Sequence, residues 1–199
     1  MSWEAKVWEI HAGPVGSKHW KNSTLPWENL LYEVTMRAEF ASKIKTLVAI
    51  DRECFDHGRW DAEAFLGSFP MKWDLSRLLK VEGKVVGYCV ASAAIPNLAH
   101  LHRLAVAPAY RNCGCGAGSL RAMEADAVRI GLQAVTLELD GSEGDYEGFY
   151  ARHGYKLAGA EDRAAYARRK EKTMPENRRL MFKLFGQPGN LSPILAALL

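Results

Sequence analysis

A chain of 199 residues with 48% hydrophobic and 25% charged positions carries enough apolar material for one domain with a core and no disulfide staples. A formal charge of +3 and a pI near 8.6 are too mild for a nucleic-acid stripe, and no apolar run is long enough for a bilayer. Four cysteines and no secretory pattern in "MSWEAKVWEIH" lead to the expectation of a reducing cytoplasm, with no nucleic acid and no membrane as partner.

Residues 1–30 hold four of the six tryptophans (Trp3, Trp8, Trp20 and Trp27) without a period of two or 3.6, and read as an irregular arm. "LLYEVTMRA" then suits a strand. "FASKIKTLVAIDRECF" places Phe40, Ile44, Leu47, Val48 and Ile50 at helical spacing, and a shorter helix is expected over residues 60–69, stopped by Pro70. "SRLLKVEGKVVGYCVASA" splits at Glu82-Gly83 into a hairpin, and "LAHLHRLAVA" is the next strand.

After a glycine-rich stretch comes a helix whose Leu120, Met123, Ala127 and Ile130 share one face. Its Arg121, Glu124 and Arg129 are expected to meet water, with Gly131 as the stop. "AVTLEL" is a strand, "DYEGFYARHG" a short helix, "YKLAGA" a strand and "RRLMFKLF" a last strand. Between the final two, "ARRKEKTMPENRR" mixes its basic residues with glutamates and reads as a solvated loop. The order predicts a mixed α/β (α+β) single domain over residues 31–186, followed by a tail, 187–199. The arm and the tail are candidates to cover each other or a second subunit, which leaves a homodimer open.

The stretch between strand and helix, "YRNCGCGAGSL", is where chemistry is expected. A helix starting just after glycines presents free N–H groups and a positive dipole end, so it suits an anion. No Gly-Lys-Ser/Thr follows, so it is not a Walker loop, and its spacing is not that of a dinucleotide fingerprint. Cys113-x-Cys115 has neither redox nor zinc spacing, and no metal is expected.

Arg111-Asn112-Cys113-Gly114-Cys115-Gly116 does match R-x-x-G-x-G/A and resembles the acetyl-CoA loop of the GNAT superfamily of N-acetyltransferases. The lead-in "RLAVAPAYR", the closing "LELDGSEGDYEGFYARHGY" and the element order are similar too, over about three quarters of the chain. The resemblance implies a mixed, mostly antiparallel sheet splayed between its fourth and fifth strands, with acetyl-CoA as co-substrate. Backbone groups of Leu104, Ala105 and Val106 would pair with pantetheine, while Arg111, Asn112, Cys113, Gly114, Cys115, Gly116 and Ala117 would hold the pyrophosphate.

The implied reaction is direct attack of an amine on the thioester. Glu138 would serve as base, and Tyr150, twelve positions on, as acid, a pair that resembles the ribosomal-protein alanine N-acetyltransferase branch. Strand alternation puts Val135, Leu137 and Leu139 on one face and Thr136 and Glu138 on the other. The family often has Asn seven residues before the tyrosine and Ala four before it; here Glu143 and Tyr146 stand there. Asp140, Glu143, Asp145 and Glu147 either suit the start of a helix or form an acidic rim for a cationic amine. His100 and His102 share a strand face, either packed or lining the acceptor pocket. The reading is an N-acetyltransferase acting on a primary amine of a small molecule or protein, with a non-catalytic acyl-CoA-binding module as the alternative.

Overall fold

The computed structural model describes residues 31–34, 37–140, 146–171, 173–186 and 189–196. The tryptophan-rich arm and Glu143 lie outside these residues. The strands are β1 (Leu31–Val34), β2 (Arg77–Val81), β3 (Lys84–Ile95), β4 (Leu98–Val106), β5 (Ala134–Asp140), β6 (Lys156–Leu157) and β7 (Arg178–Leu184). They form one sheet in the order β1-β2-β3-β4-β5-β7-β6, in which β4 and β5 pair in parallel and all other neighbours are antiparallel. The helices are α1 (Arg37–Ser42), α2 (Ile44–Cys54), α3 (Ala62–Leu66), α4 (Lys72–Leu75), α5 (Cys115–Arg129), α6 (Tyr146–Arg152), α7 (Ala160–Arg169) and α8 (Ser192–Ala196). No helix among the described residues is long and apolar enough to cross a membrane.

Alternation along the strands divides the core between the two faces. Cys89, Ala91, Leu101, Val135, Leu137 and Met181 pack under Leu120, Met123 and Ala127 of α5. On the opposite face, Tyr88, Val90 and Ala105 meet Phe40, Leu47, Ile50 and Phe65 from the first helices. Beside them, Ala134, Leu180 and Phe182 meet Tyr166 of α7 and Leu191 and Leu195 at α8. Leu191 and Leu195, after β7, therefore share a core with the sheet.

The Glu82-Gly83 hairpin forms as expected, with both residues at positive φ. Several other elements differ. The first predicted helix breaks at Lys43 into α1 and α2, and a one-turn helix, α4, follows Pro70. "YKLAGA" contributes only the two residues of β6. The basic stretch expected as a loop begins inside α7 and ends inside β7. Glu161 and Asp162 in the first turn of α7, with Arg168 and Arg169 in the last, complement its dipole. Glu124 is buried rather than wet, because Lys183 Nζ donates to it at 2.7 Å.

Two features fix the course of β4. Asp51 of α2, with no exposed surface, accepts from Arg103 Nε at 2.7 Å and NH2 at 3.2 Å, from the Trp60 backbone N–H at 2.7 Å and from the Tyr88 hydroxyl. The Arg103 guanidinium also lies 3.8 Å from the Phe55 ring centroid. On the other side, β3 comes so close at Gly87 that a Cβ there would sit 2.5 Å from the Ala105 carbonyl oxygen. Gly87→Ala is expected to lower unfolding free energy by about 2–3 kcal/mol through this backbone clash, as read by urea denaturation.

Candidate functional site

The parallel ladder between β4 and β5 is short. It runs from Leu98↔Ala134 to Leu101↔Leu137 and stops, although β4 continues to Val106 and β5 to Asp140. Just past that point β4 carries a bulge: Ala91 faces Leu101 but Val90 faces Arg103, so His102 is an extra residue. Strict alternation would have put Leu104 beside the histidines. The bulge moves it to the α5 face, where it packs with Leu101 and Cys89.

Backbone directions at the open end follow from the ladder with β3. Ala107 N–H donates to Val86 O, so 86↔107 and, two residues back, 88↔105 are hydrogen-bonded pairs. Leu104 and Val106 occupy the alternate pairs, and their N–H and C=O groups point sideways into the gap left by β5. Of the three residues expected to meet pantetheine, Ala105 is spent on β3 and the other two face the opening.

The glycine loop closes one end of that gap. Asn112 has φ 60° and Gly114 φ 86°, and Gly114 stands at the N-cap of α5 without a capping side chain. The N–H groups of Gly116 and Ala117 therefore lie in the first turn of the helix with no intrahelical acceptor. A Cβ on Gly116 would lie 3.6 Å from the Phe149 ring and 3.9 Å from Val106, in the space between loop, β4 and α6. Arg111 folds back, its Nε donating to Val106 O at 3.0 Å, and the Cys54 thiol reaches the same oxygen at 3.3 Å.

The thiols of Cys113 and Cys115 turn away from the cradle, into a cluster with Leu79, Val81 and Val86. Their sulfurs lie 3.1 Å apart. Hydrogen bonding from the Cys115 thiol holds Cys113 down at about 6, and the same contact with burial pushes Cys115 up.

Tyr150 and Glu138 flank the opening from opposite faces. Tyr150 is 8% exposed and packs edge-on to Phe149 and Tyr155 in the cluster that contains Leu101 and Cys89. Burial, with Cys89 and Tyr146 nearby, raises its pKa, so it keeps its proton throughout the ordinary pH range. Glu138 lies across from Leu180 on the other face, which is also that of Thr136 and Tyr166. Two members of the acidic loop are neutralised by β7: Asp140 by Arg178 at 3.7 Å and Glu147 by Arg179 at 2.5 Å.

A run of rings leads outward from Glu138. Tyr166 and His100 are 6.1 Å apart, His100 and His102 meet edge-on at 4.8 Å, and Phe69 stacks on His102 at 5.0 Å. Each histidine has hydroxyl neighbours of its own. His100 Nδ1 is 3.1 Å from Thr136 Oγ1 and 3.0 Å from the Tyr166 hydroxyl, while His102 Nε2 is 2.7 Å from Ser92 Oγ. Sequence reasoning misses Tyr166 because it falls in residues 161–166, between a stretch that reads as strand and one that reads as loop, with no element of its own. It also missed Asp51, whose signal was an acid beside Leu47 and Ile50 on the buried face of α2.

Residues 44–155 match the acetyltransferase (GNAT) family, more than half of the chain. No curated protein matches it. Among solved structures it is similar to the PaiA N-acetyltransferase of Thermoplasma acidophilum in complex with coenzyme A, at 15% identity and TM-score 0.60, covering 78% of this chain and 99% of that one. It is also similar to a ribosomal-protein alanine N-acetyltransferase of Escherichia coli, at 15% identity and TM-score 0.60, covering 80% and 96%. A third is the diaminobutyrate acetyltransferase of Paenibacillus lautus, at 14% identity and TM-score 0.57, covering 80% and 98%. The glycine cradle on α5, the parted strands and the matched residues together make this chain an acyltransferase that belongs to the GNAT acetyltransferase family.

Proposed function

We propose that the protein moves an acetyl group from acetyl-CoA to a primary amine, of a small molecule or a peptide, by direct attack. The observation that carries this reading is the parting of β4 from β5, with Glu138 and Tyr150 on opposite faces beside it.

The cradle suits the co-substrate. Along the edge of β4 that β5 does not pair, the N–H and C=O groups of Leu104 and the N–H of Val106 are able to pair with the amides of pantetheine by strand addition. The first amides of α5 suit a pyrophosphate, and the lack of a side chain at Gly116 leaves its path open. Arg111, at the start of the loop, would leave Val106 O to the incoming amide and turn its guanidinium to phosphate. When bound, acetyl-CoA supplies an activated acyl carbon and a thiolate leaving group.

On the acceptor face the amine arrives protonated at neutral pH and must lose a proton before it attacks; Glu138, whose strand position puts it on that face, takes it in this reading. On the α5 face the departing sulfur needs a proton, and Tyr150 holds one. Base and acid need not meet, because they serve different atoms of the same reaction. Asp140 and Glu147 are paired with Arg178 and Arg179, while Glu143 and Asp145 lie outside the described residues, so the panel includes cationic and neutral amines alike.

The experiment is thiol release from acetyl-CoA across a panel of polyamines, aminoglycosides, amino acids and peptide N-termini. Turnover with at least one primary amine is expected; tight coenzyme A binding with none would indicate a binding module. Tyr150→Phe is expected to lower turnover about a hundredfold while coenzyme A affinity hardly changes. Glu138→Gln should cost a similar factor at neutral pH, and the loss should shrink as pH rises and the amine sheds its own proton. Gly116→Val should weaken coenzyme A binding about tenfold by calorimetry with little change in melting temperature.

A further inference from the structure

Beneath the glycine cradle lie two thiols that acyl transfer does not use. Gly114 turns the chain at φ 86° and ψ −4°, a left-handed conformation that favours glycine, and Cys113 and Cys115 fall on the same side of that turn. Their sulfurs are 3.1 Å apart, and the two residues are 2% and 1% exposed, in a cluster with Leu79, Val81 and Val86. The Cys113 thiol donates to Tyr110 O at 2.8 Å, so the hydrogen between the two sulfurs belongs to Cys115. That hydrogen bond holds Cys113 below the ordinary thiol range and favours its thiolate. Cys54 and Cys89 belong to other clusters, one on each face of the sheet.

A disulfide needs its sulfurs about 2.05 Å apart, so this pair has to close by only about 1 Å. The chemistry balances with hydrogen peroxide as the oxidant. The Cys113 thiolate, its proton given to water, attacks one peroxide oxygen; the O–O bond breaks, and the departing hydroxide recovers a proton as water. Cys113 is then a sulfenic acid. The Cys115 sulfur attacks the Cys113 sulfur, the S–O bond breaks, and the second hydroxide leaves with the Cys115 proton as water. Together the two thiols lose two electrons, and the peroxide gains them. Burial decides the partner, because a sulfenic acid under the loop meets the adjacent Cys115 before a thiol of any other molecule.

We propose that Cys113 and Cys115 are an oxidation site of the loop: hydrogen peroxide closes them to a disulfide, and the disulfide loosens the anion cradle. The coupling to coenzyme A rests on the cradle reading; the disulfide itself does not. Cys115 is the first residue of α5, and the N–H groups of Gly116 and Ala117 follow it directly. Leu79 and Val81 on β2 and Val86 on β3 are fixed in the sheet, so the loop backbone takes up the closure. Amides displaced in this way no longer converge on one anion, and affinity is expected to fall about tenfold. By reciprocity the bound ligand makes the pair harder to oxidise, raising its midpoint potential by about 30 mV for that tenfold factor.

The test treats the full chain, freed of reductant, with hydrogen peroxide, then alkylates it under unfolding conditions and digests it with trypsin. Cleavage after Arg111 and Arg121 puts Cys113 and Cys115 on one peptide, while Cys54 and Cys89 fall on two others. More than half of the 112–121 peptide is expected to be unalkylated and two hydrogens lighter than its thiol form, and dithiothreitol should restore both thiols. In Cys115→Ala, Cys113 should instead stop at a sulfenic acid that a 1,3-diketone traps. Two alkylated thiols in the peroxide-treated wild type, or a bridge from either cysteine to Cys54, Cys89 or a second chain, overturns the proposal.

Calorimetry with desulfo-coenzyme A supplies the second arm, because that probe keeps the pyrophosphate and pantetheine but has no thiol to reopen the bridge. The oxidised wild type should bind it about tenfold more weakly than the reduced protein. Cys113→Ala/Cys115→Ala should show one affinity before and after peroxide. Equal affinity in the two wild-type forms, or a loss that persists in the double variant, overturns the coupling. No binding by the reduced protein would count against the cradle reading, and the mass of the 112–121 peptide would still decide the oxidation site.

Discussion

Everything at this site depends on two strands that start as neighbours and then part. For four residue pairs β4 and β5 share a parallel ladder; after Leu101 and Leu137 each keeps strand pairing with its other neighbour alone. β5 stays on β7 through Asp140, and β4 stays on β3 through Val106. The separation is built into the two half-sheets. Gly87 lets β3 and β4 approach until a methyl group would collide with a carbonyl, and the buried Arg103–Asp51 pair fastens β4 to α2. Removing one partner of such a pair typically costs about 3–5 kcal/mol, because the other is left charged and buried. The anchoring is strong enough to keep an unpaired strand edge inside a sheet, where such edges are usually covered.

The parting also distributes the chemistry. A sheet two residues deep in side chains offers two environments a few ångströms apart, one per face. The α5 face is closed and apolar around Tyr150, which favours a phenol that keeps its proton. The opposite face gathers hydroxyl, imidazole and carboxylate groups under α7, with Phe69 left 41% exposed at its outer end. An amine entering on the second face and a thiol leaving on the first would never compete for the same groups.

Local signals made much of this legible in the sequence. The glycines before a helix, the Glu-Gly hairpin and the alternation in "AVTLEL" are short-range features with one physical meaning each, and the structure keeps all three. What stayed hidden depends on contacts across the chain. The bulge at His102 carries no glycine to announce it, and the Arg103 beside it meets Asp51, 52 residues away. α7 is rich in alanine and arginine, both good helix formers, but its charge density resembles a loop until Tyr166 is seen buried against the sheet. Glu124 sits on the polar side of an amphipathic pattern and is nonetheless covered, because Lys183 comes from β7 to meet it. Periodicity reports which face is apolar, and partners supplied by distant strands are outside its reach.

The central claim is that the open edge of β4 and the first turn of α5 form the acetyl-CoA site, and amide hydrogen exchange tests it most directly. On adding coenzyme A, the amides of Leu104, Val106, Gly116 and Ala117 should shift and exchange more slowly. The Ala105 amide, already bonded to β3, should stay as it was. Unchanged exchange at the first four, or slowing at Ala105 equal to that at its two neighbours, would contradict the account.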